Sequence, residues 1–490
     1  MADHAATPGA GGIRAAGGSP GAAAAASLAA VIPAGTDRAA LPYLAIAGDP
    51  AATRARRLDA LRAMVRDLPA EAPRGANVPK PTGEINNHVH TIYSFSPYTP
   101  SMAAWRARAS ALAVAGSVDH DSVGAAVEML DACAILGIGS TVGFELRVAC
   151  PDSPFQKRKL NNPDSIGIAY MTVQGIPRRS LEQAAAFLAP IGAARGARNR
   201  KTVAAASEIL AGAGYGELDY DRDVVPLSKA AEGGSVTERH ILSAVAGAIL
   251  KRHGTGPALV IGLAAHLGLQ APPKVAALLS DPGNPHLAYD LLGFLKSGFL
   301  DRVFVQPGPE ECIPVCSVTA FARSIGAIPA YAYLGDVADS PTGDKKAEKF
   351  EDEFLDELLP WLVEAGFQAV TYMPPRNTQA QLARVRALCE RHGLMEISGV
   401  DINSSRQSFS CPEVLAPSMS RLIGTTWALV AHEKLSGMDP ALGLFSPVGP
   451  LASLPLAERM DRYAEVGRNL DPGNPEDPKT LARLVRNWRP

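Results

Sequence analysis

Between residues 50 and 68 apolar side chains recur three and four positions apart in PAATRARRLDALRAMVRDL, with arginines between them. That spacing predicts an amphipathic helix whose basic side faces solvent, ended by Pro69 and Pro73. The period then changes: EINNHVH, from Glu84, alternates in the manner of a strand. A helix near 102–112, a strand near 115–118, a helix over 123–136 and a strand over 139–148 follow. Between about residues 180 and 300 the text is alanine- and leucine-rich, with helices predicted at 181–188, 202–211 and 238–251 and hardly any strand signal. Alternation returns with a strand at 327–334, a helix at 347–365, a strand at 369–373, a helix at 379–392 and a strand end at 396–400. After Asp401 the pattern is weak, and 472–478 reads as a loop before a last short helix. Such alternation implies βαβ units, hence an α/β barrel or open sheet.

Five segments result: 1–82 (leader, helix and linker), 83–180 (first part of the barrel), 181–310 (helical insertion), 311–410 (second part) and 411–490 (C-terminal extension). The first thirty-odd residues are small and glycine-rich without a basic segment before a long apolar core, which reads as a disordered leader. No run approaches the ~20 apolar residues of a membrane span, and Val260 to Leu269 is short and contains His266. Basic and acidic residues number 47 and 49, so no global positive field directs the chain to nucleic acid, and a small-molecule substrate fits better. Six cysteines without a repeated C-x-x-C pair argue for buried thiols and a reducing, cytoplasmic setting.

Against this background a few polar residues stand at strand ends. His88 and His90 are two apart, so on a strand they share a face and can meet one metal ion; otherwise they are two polar residues at a strand end. Asp119, His120 and Asp121 follow the next strand, where barrel active sites gather. Asp121 before Ser122 also suits the N-cap of the helix at 123. Glu145 is a carboxylate inside an apolar run, a costly placement unless a cation or donors meet it. Asp401 closes another apolar run, as a ligand or as an Asx-turn.

In order and spacing, HVHT at His88, VDHD at Val118, GFE at Gly143, AYL at Ala332 and VDIN at Val400 resemble the motifs of polymerase-and-histidinol-phosphatase domains, from about residue 84 to 405. Within that family the chain is most similar to the nucleoside-bisphosphate and mononucleotide phosphatases, which carry a helical insertion; Arg239 to Leu242 resembles a helix start of that branch. The resemblance implies a distorted (β/α)7-type barrel with an inserted helical subdomain. It places His88, His90, Glu145 and Asp401 around a first metal. Where further metal-ligating histidines or acids belong, this chain has Tyr170, Tyr333, Phe95 and Asn403. A protonated tyrosine is a poor ligand, so one firmly held divalent ion, zinc, manganese or iron, is expected.

The resemblance thus implies a metal-dependent hydrolase acting on a small phosphorylated substrate through metal-activated water, with His120, Asp401 and Asp119 as catalytic residues. Arg239, His240, Tyr170, Tyr333 and Asn403 would line the substrate, although Arg239 and His240 also read as a solvated helix start, and Arg198 and Lys201 as a basic solvated face. Two alternatives stay open: a mononuclear hydrolase or lyase with a non-phosphate substrate, and a degenerate domain that only binds a ligand. Oligomeric state is not legible.

Overall fold

The computed structural model describes residues 30–33, 36–68, 81–337 and 348–488. The leader expected over the first thirty-odd residues falls almost wholly outside these, as does the linker over 69–80. Seven strands form one sheet in chain order: β1 (Ile85–Val89), β2 (Val114–His120), β3 (Gly139–Ala149), β4 (Ile168–Gln174), β5 (Ile328–Ala332), β6 (Ala369–Tyr372) and β7 (Met395–Ser398). β1 to β3 are parallel, β5 to β7 are parallel, and β4 runs antiparallel to both of its neighbours. The sheet closes where His90 N donates to Ile402 O (2.9 Å) and Ile402 N to His88 O (3.1 Å). It is a distorted seven-stranded barrel with helical additions. β4 was not anticipated; its reversal brings Tyr170, opposite Arg147, to the carboxyl end of β3.

The weak pattern after Asp401 conceals the helix Arg421–Met438, most of which is buried. Its Ala428, Leu429 and Ala431 share a core with Ile85, Val114, Ile328, Ala369 and Met395, the first residues of β1, β2, β5, β6 and β7. Glu433 Oε2 accepts from Val142 N (2.7 Å), and Thr426 Oγ1 accepts from Asn87 Nδ2 (2.9 Å). This helix plugs the amino-terminal end of the barrel, which leaves the carboxyl ends for chemistry.

Other expectations change in detail. One 32-residue helix, Leu181–Gly212, replaces the two predicted short ones. At 1.5 Å per residue it is about 48 Å long, and it joins both cores: Leu181, Ala184, Leu188 and Ile191 pack on the barrel, Ala206 and Leu210 in a separate core of the insertion. The helix predicted at 347–365 spans only Leu355–Glu364, after a 3-10 turn. The first amphipathic helix, Arg54–Asp67, packs on the barrel through Leu58, Leu61 and Met64. Its arginines are not all solvated: Arg57 is fully buried and pairs with Glu128 through Nε (2.8 Å) and Nη2 (2.7 Å). All six cysteines are free, and Cys316 is exposed while the others are buried. No helix of the described residues is long and apolar enough to cross a membrane.

Candidate metal centre

Strand periodicity sorts the acidic and imidazole residues. On β3, Phe144, Leu146 and Val148 enter the outer core, so Gly143, Glu145 and Arg147 face the barrel interior. A Cβ on Gly143 would lie 2.1 Å from Val173 O; only glycine permits that approach of β4 beside Glu145. Similarly, a Cβ on Gly399 would lie 2.5 Å from His88 Cβ, so glycine after β7 makes room for the histidine.

Four ligand-type atoms then converge. Glu145 Oε2 is 3.5 Å from His88 Nε2 and 3.5 Å from His90 Nε2, and His90 Nε2 is 3.4 Å from Asp401 Oδ1. The edge of a tetrahedron with bonds of about 2.1 Å, the usual zinc–nitrogen and zinc–oxygen length, is about 3.4 Å. His90 Nε2 is buried and makes no hydrogen bond, an arrangement that costs stability unless a cation receives its lone pair. His88, His90 and Glu145 therefore fit a divalent ion by donor type, spacing and burial. Asp401, whose Oδ1 accepts from Asn403 Nδ2 (2.6 Å), stands beside them on the loop after β7.

The tautomer of His90 is fixed from behind. Ser94 Oγ donates to Asp119 Oδ1 (2.6 Å) and lies 3.3 Å from His90 Nδ1, so the ring donates Nδ1–H and keeps Nε2 as an acceptor. Asp119 also accepts from Thr91 N (2.6 Å) and Thr91 Oγ1 (2.7 Å). Asp119 and His120 are consecutive on a strand and must face opposite sides. His120 joins the cluster, its Nδ1 3.2 Å from Glu145 Oε2 and its ring stacked 4.6 Å from that of His90. The structure thus separates Asp119 from the cluster and makes it an anchor of the 91–94 loop. Asp121 does not cap the helix, which begins at Ala126 without a side-chain cap; it adopts φ +49° and meets Arg195 Nη1 at 2.6 Å.

Charges follow burial. Burial works against a charged His88, but the carboxylates of Glu145 and Asp401 outweigh it and raise its pKa. Burial dominates at His90 and His120 and lowers both, at His120 well below the usual value with further help from His90, Arg195 and Arg239. Burial pushes Asp119 up, against the pull of His90, Ser94 and Thr91.

The substrate-side expectations divide. Tyr170 is near the cluster, its ring 5.9 Å from that of His120, and burial raises its hydroxyl pKa. Tyr333 turns elsewhere and donates to Asp352 Oδ1 (2.5 Å). Arg239 Nη1 donates to Asn403 O (3.1 Å). His240 is no solvated helix start: it is buried, its Nδ1 accepts from Thr237 N (2.9 Å), and it packs edge-on against Phe95 at 4.9 Å. Burial holds it neutral, with its pKa lowered to about 3. Lys201 is exposed, whereas Arg198 is buried.

Arg198 belongs to a network that sequence reading missed. Its Nε donates to Glu311 Oε2 (2.6 Å) and its Nη2 to Glu238 Oε1 (2.6 Å). Arg195 Nε reaches Glu311 Oε1 (3.2 Å), and Arg147 Nη2 meets both Glu311 and Glu238. Three guanidinium groups thus meet the carboxylates of Asp121, Glu238 and Glu311 beside the cluster. Ser94 had a weak signal, four residues after His90; Glu311 had none.

No family model matches the chain, and no curated protein matches it by sequence. Among solved structures it is similar to a protein from Bifidobacterium adolescentis described as a metal-dependent phosphoesterase, at 18% identity over 67% of this chain and 91% of that one, TM-score 0.43. It is also similar to an amidohydrolase from Chromobacterium violaceum solved with sulfate and no metal, at 19% identity over 66% of this chain and 89% of that one, TM-score 0.41. Likenesses this remote assign neither reaction nor substrate.

Proposed function

We propose that this chain is a metal-dependent hydrolase of the polymerase-and-histidinol-phosphatase kind, acting on a small phosphorylated substrate. The observation that carries this is the convergence of His88, His90, Glu145 and Asp401 around the buried, unpartnered His90 Nε2. Two imidazoles and two carboxylates suit zinc, manganese or iron(II). When bound, such an ion supplies an acidified water and polarises a substrate oxygen. His120, its Nδ1 3.2 Å from Glu145 Oε2, is the first candidate to accept a proton from the attacking water and return it to the leaving group. Asp401, oriented by Asn403, is the second candidate for that shuttle. In this reading Tyr170, beside His120, and Arg239 donate hydrogen bonds to substrate oxygens.

A second reading keeps the ion and changes the substrate. Arg147, Arg195 and Arg198 are matched by three carboxylates, which favours a substrate less charged than a phosphate ester and a mononuclear hydrolase or lyase. Elemental analysis of protein purified without chelators, beside a His88→Ala, His90→Ala double variant, separates these readings. Metal lost in the variant together with turnover of phosphomonoesters supports the first, and a second ion per chain strengthens it. One ion with turnover only of uncharged esters, amides or lactones supports the second. A chain without metal overturns both and leaves a ligand-binding domain.

A further inference from the structure

The loop that carries Asp401 is fastened to the helical insertion at three points. Arg239 Nη1, on the helix Glu238–His253, donates to Asn403 O (3.1 Å), and Asn403 in turn holds Asp401 Oδ1. His286 Nδ1 lies 2.8 Å from Ser405 Oγ. Arg406 forks onto Asp290 of the helix Leu287–Gly298, with Nε on Oδ1 and Nη2 on Oδ2 (2.6 Å). Asn284 locks the far side of that fork, donating to Asp290 Oδ2 (2.7 Å) and accepting from Arg406 Nη2 (3.3 Å). The Arg406 side chain is 41% exposed and that of Asp290 8%, and it is the bidentate geometry with a third partner that distinguishes this pair from an ordinary surface ion pair. The loop also has internal order, since Gln407 Oε1 accepts from Asn403 N and Ser404 N (both 2.7 Å).

His88 and Glu145 sit on barrel strands, and His90 follows β1 directly with its N–H bonded to Ile402 O, so all three are held by the sheet. Asp401 is different: its neighbours Val400 and Ile402 bond to Asn86, His88 and His90 of the barrel, but its carboxylate is oriented by Asn403, on a loop fastened to another subdomain. We infer that the helical insertion is a positioning device for the metal centre, with the Asp290–Arg406 fork as the fastening that sets Asp401. This rests on the reading of Asp401 as a ligand. Arg406 touches neither metal nor substrate and is a positioning residue; a shift of the insertion would release one ligand and leave three.

The test uses the full chain with Arg406→Ala, Asp290→Ala and the charge-swapped pair Asp290→Arg, Arg406→Asp. Backbone hydrogen exchange at residues 401–407 is followed in metal-free protein, and zinc affinity is measured by competition with a chromophoric chelator. The expected result is faster exchange at Asn403 and Ser404 in both single variants, zinc affinity lower by about tenfold, and recovery of both in the swap. Exchange at wild-type rates overturns the fastening. Faster exchange with unchanged zinc affinity overturns the link to Asp401. A wild type that binds no zinc overturns the metal reading itself, a result the His88→Ala, His90→Ala control separates from failure of the fork.

Discussion

Replacing Ser94 with alanine deletes one hydroxyl that never touches the proposed ion, and it is the sharpest probe of the centre. Ser94 Oγ stands between Asp119 Oδ1 (2.6 Å) and His90 Nδ1 (3.3 Å) in a buried setting. Without it the Nδ1–H of His90 loses its acceptor, a loss of about 1–3 kcal/mol when the group stays dry. The alternative tautomer, with the proton on Nε2, then becomes accessible and cannot bind metal. Since 1.4 kcal/mol is about tenfold in a binding constant, zinc affinity should fall about 10- to 100-fold, the range typical of such outer partners. Asp119→Asn is the gentler companion: its amide oxygen can still accept from Thr91 N and Ser94, while its NH2 faces the rotatable Thr91 hydroxyl. Charge is lost but packing is kept, so about tenfold is expected. The assay is chelator competition, with thermal midpoints of metal-free protein showing whether the fold is intact. Wild-type affinity in Ser94→Ala, alongside loss of metal in His88→Ala, would refute the reasoning.

Glu128→Ala strands the fully buried Arg57; a destabilisation of about 3–5 kcal/mol should appear in denaturant titrations, with early proteolysis in the 41–67 hairpin. Glu311→Ala leaves three buried guanidinium groups with two carboxylates and should cost a similar amount, read by the same titration; a loss under about 1 kcal/mol would show the network to be solvated. Complete burial pushes Glu351 up to about 7, above its ordinary 4.5. A raised carboxyl value means that this group's stability is fully present below pH 4.5 and declines as pH rises through 7, by about 3 kcal/mol in total. Glu351→Gln should flatten that decline, and an unchanged pH–stability curve would count against it.

Much of this architecture was legible along the chain. Period-2 and period-3.6 runs, with short apolar runs bounded by turn residues, located six of the seven strands and most helices. HVHT, GFE and the Asp after β7 were visible as ligand candidates because a charged or imidazole group at the end of an apolar strand is conspicuous. β4 went unread although IAYMTVQ is as long as β2, and the helix Arg421–Met438 escaped because burial on nearly all sides erases its amphipathic stripe.

What the sequence determined by itself is local: which segments alternate, and which polar residues stand at their ends. Partnership was decided only by tertiary structure. DHD reads as one cluster, yet the pleat sends His120 to the ligands, Asp119 to Thr91 and Ser94, and Asp121 to Arg195. Arg198 looks solvated along its helix until Glu311, more than a hundred residues away, closes over it. Burial and charge pairing depend on what the rest of the fold brings to a side chain, and no periodicity along the chain encodes that.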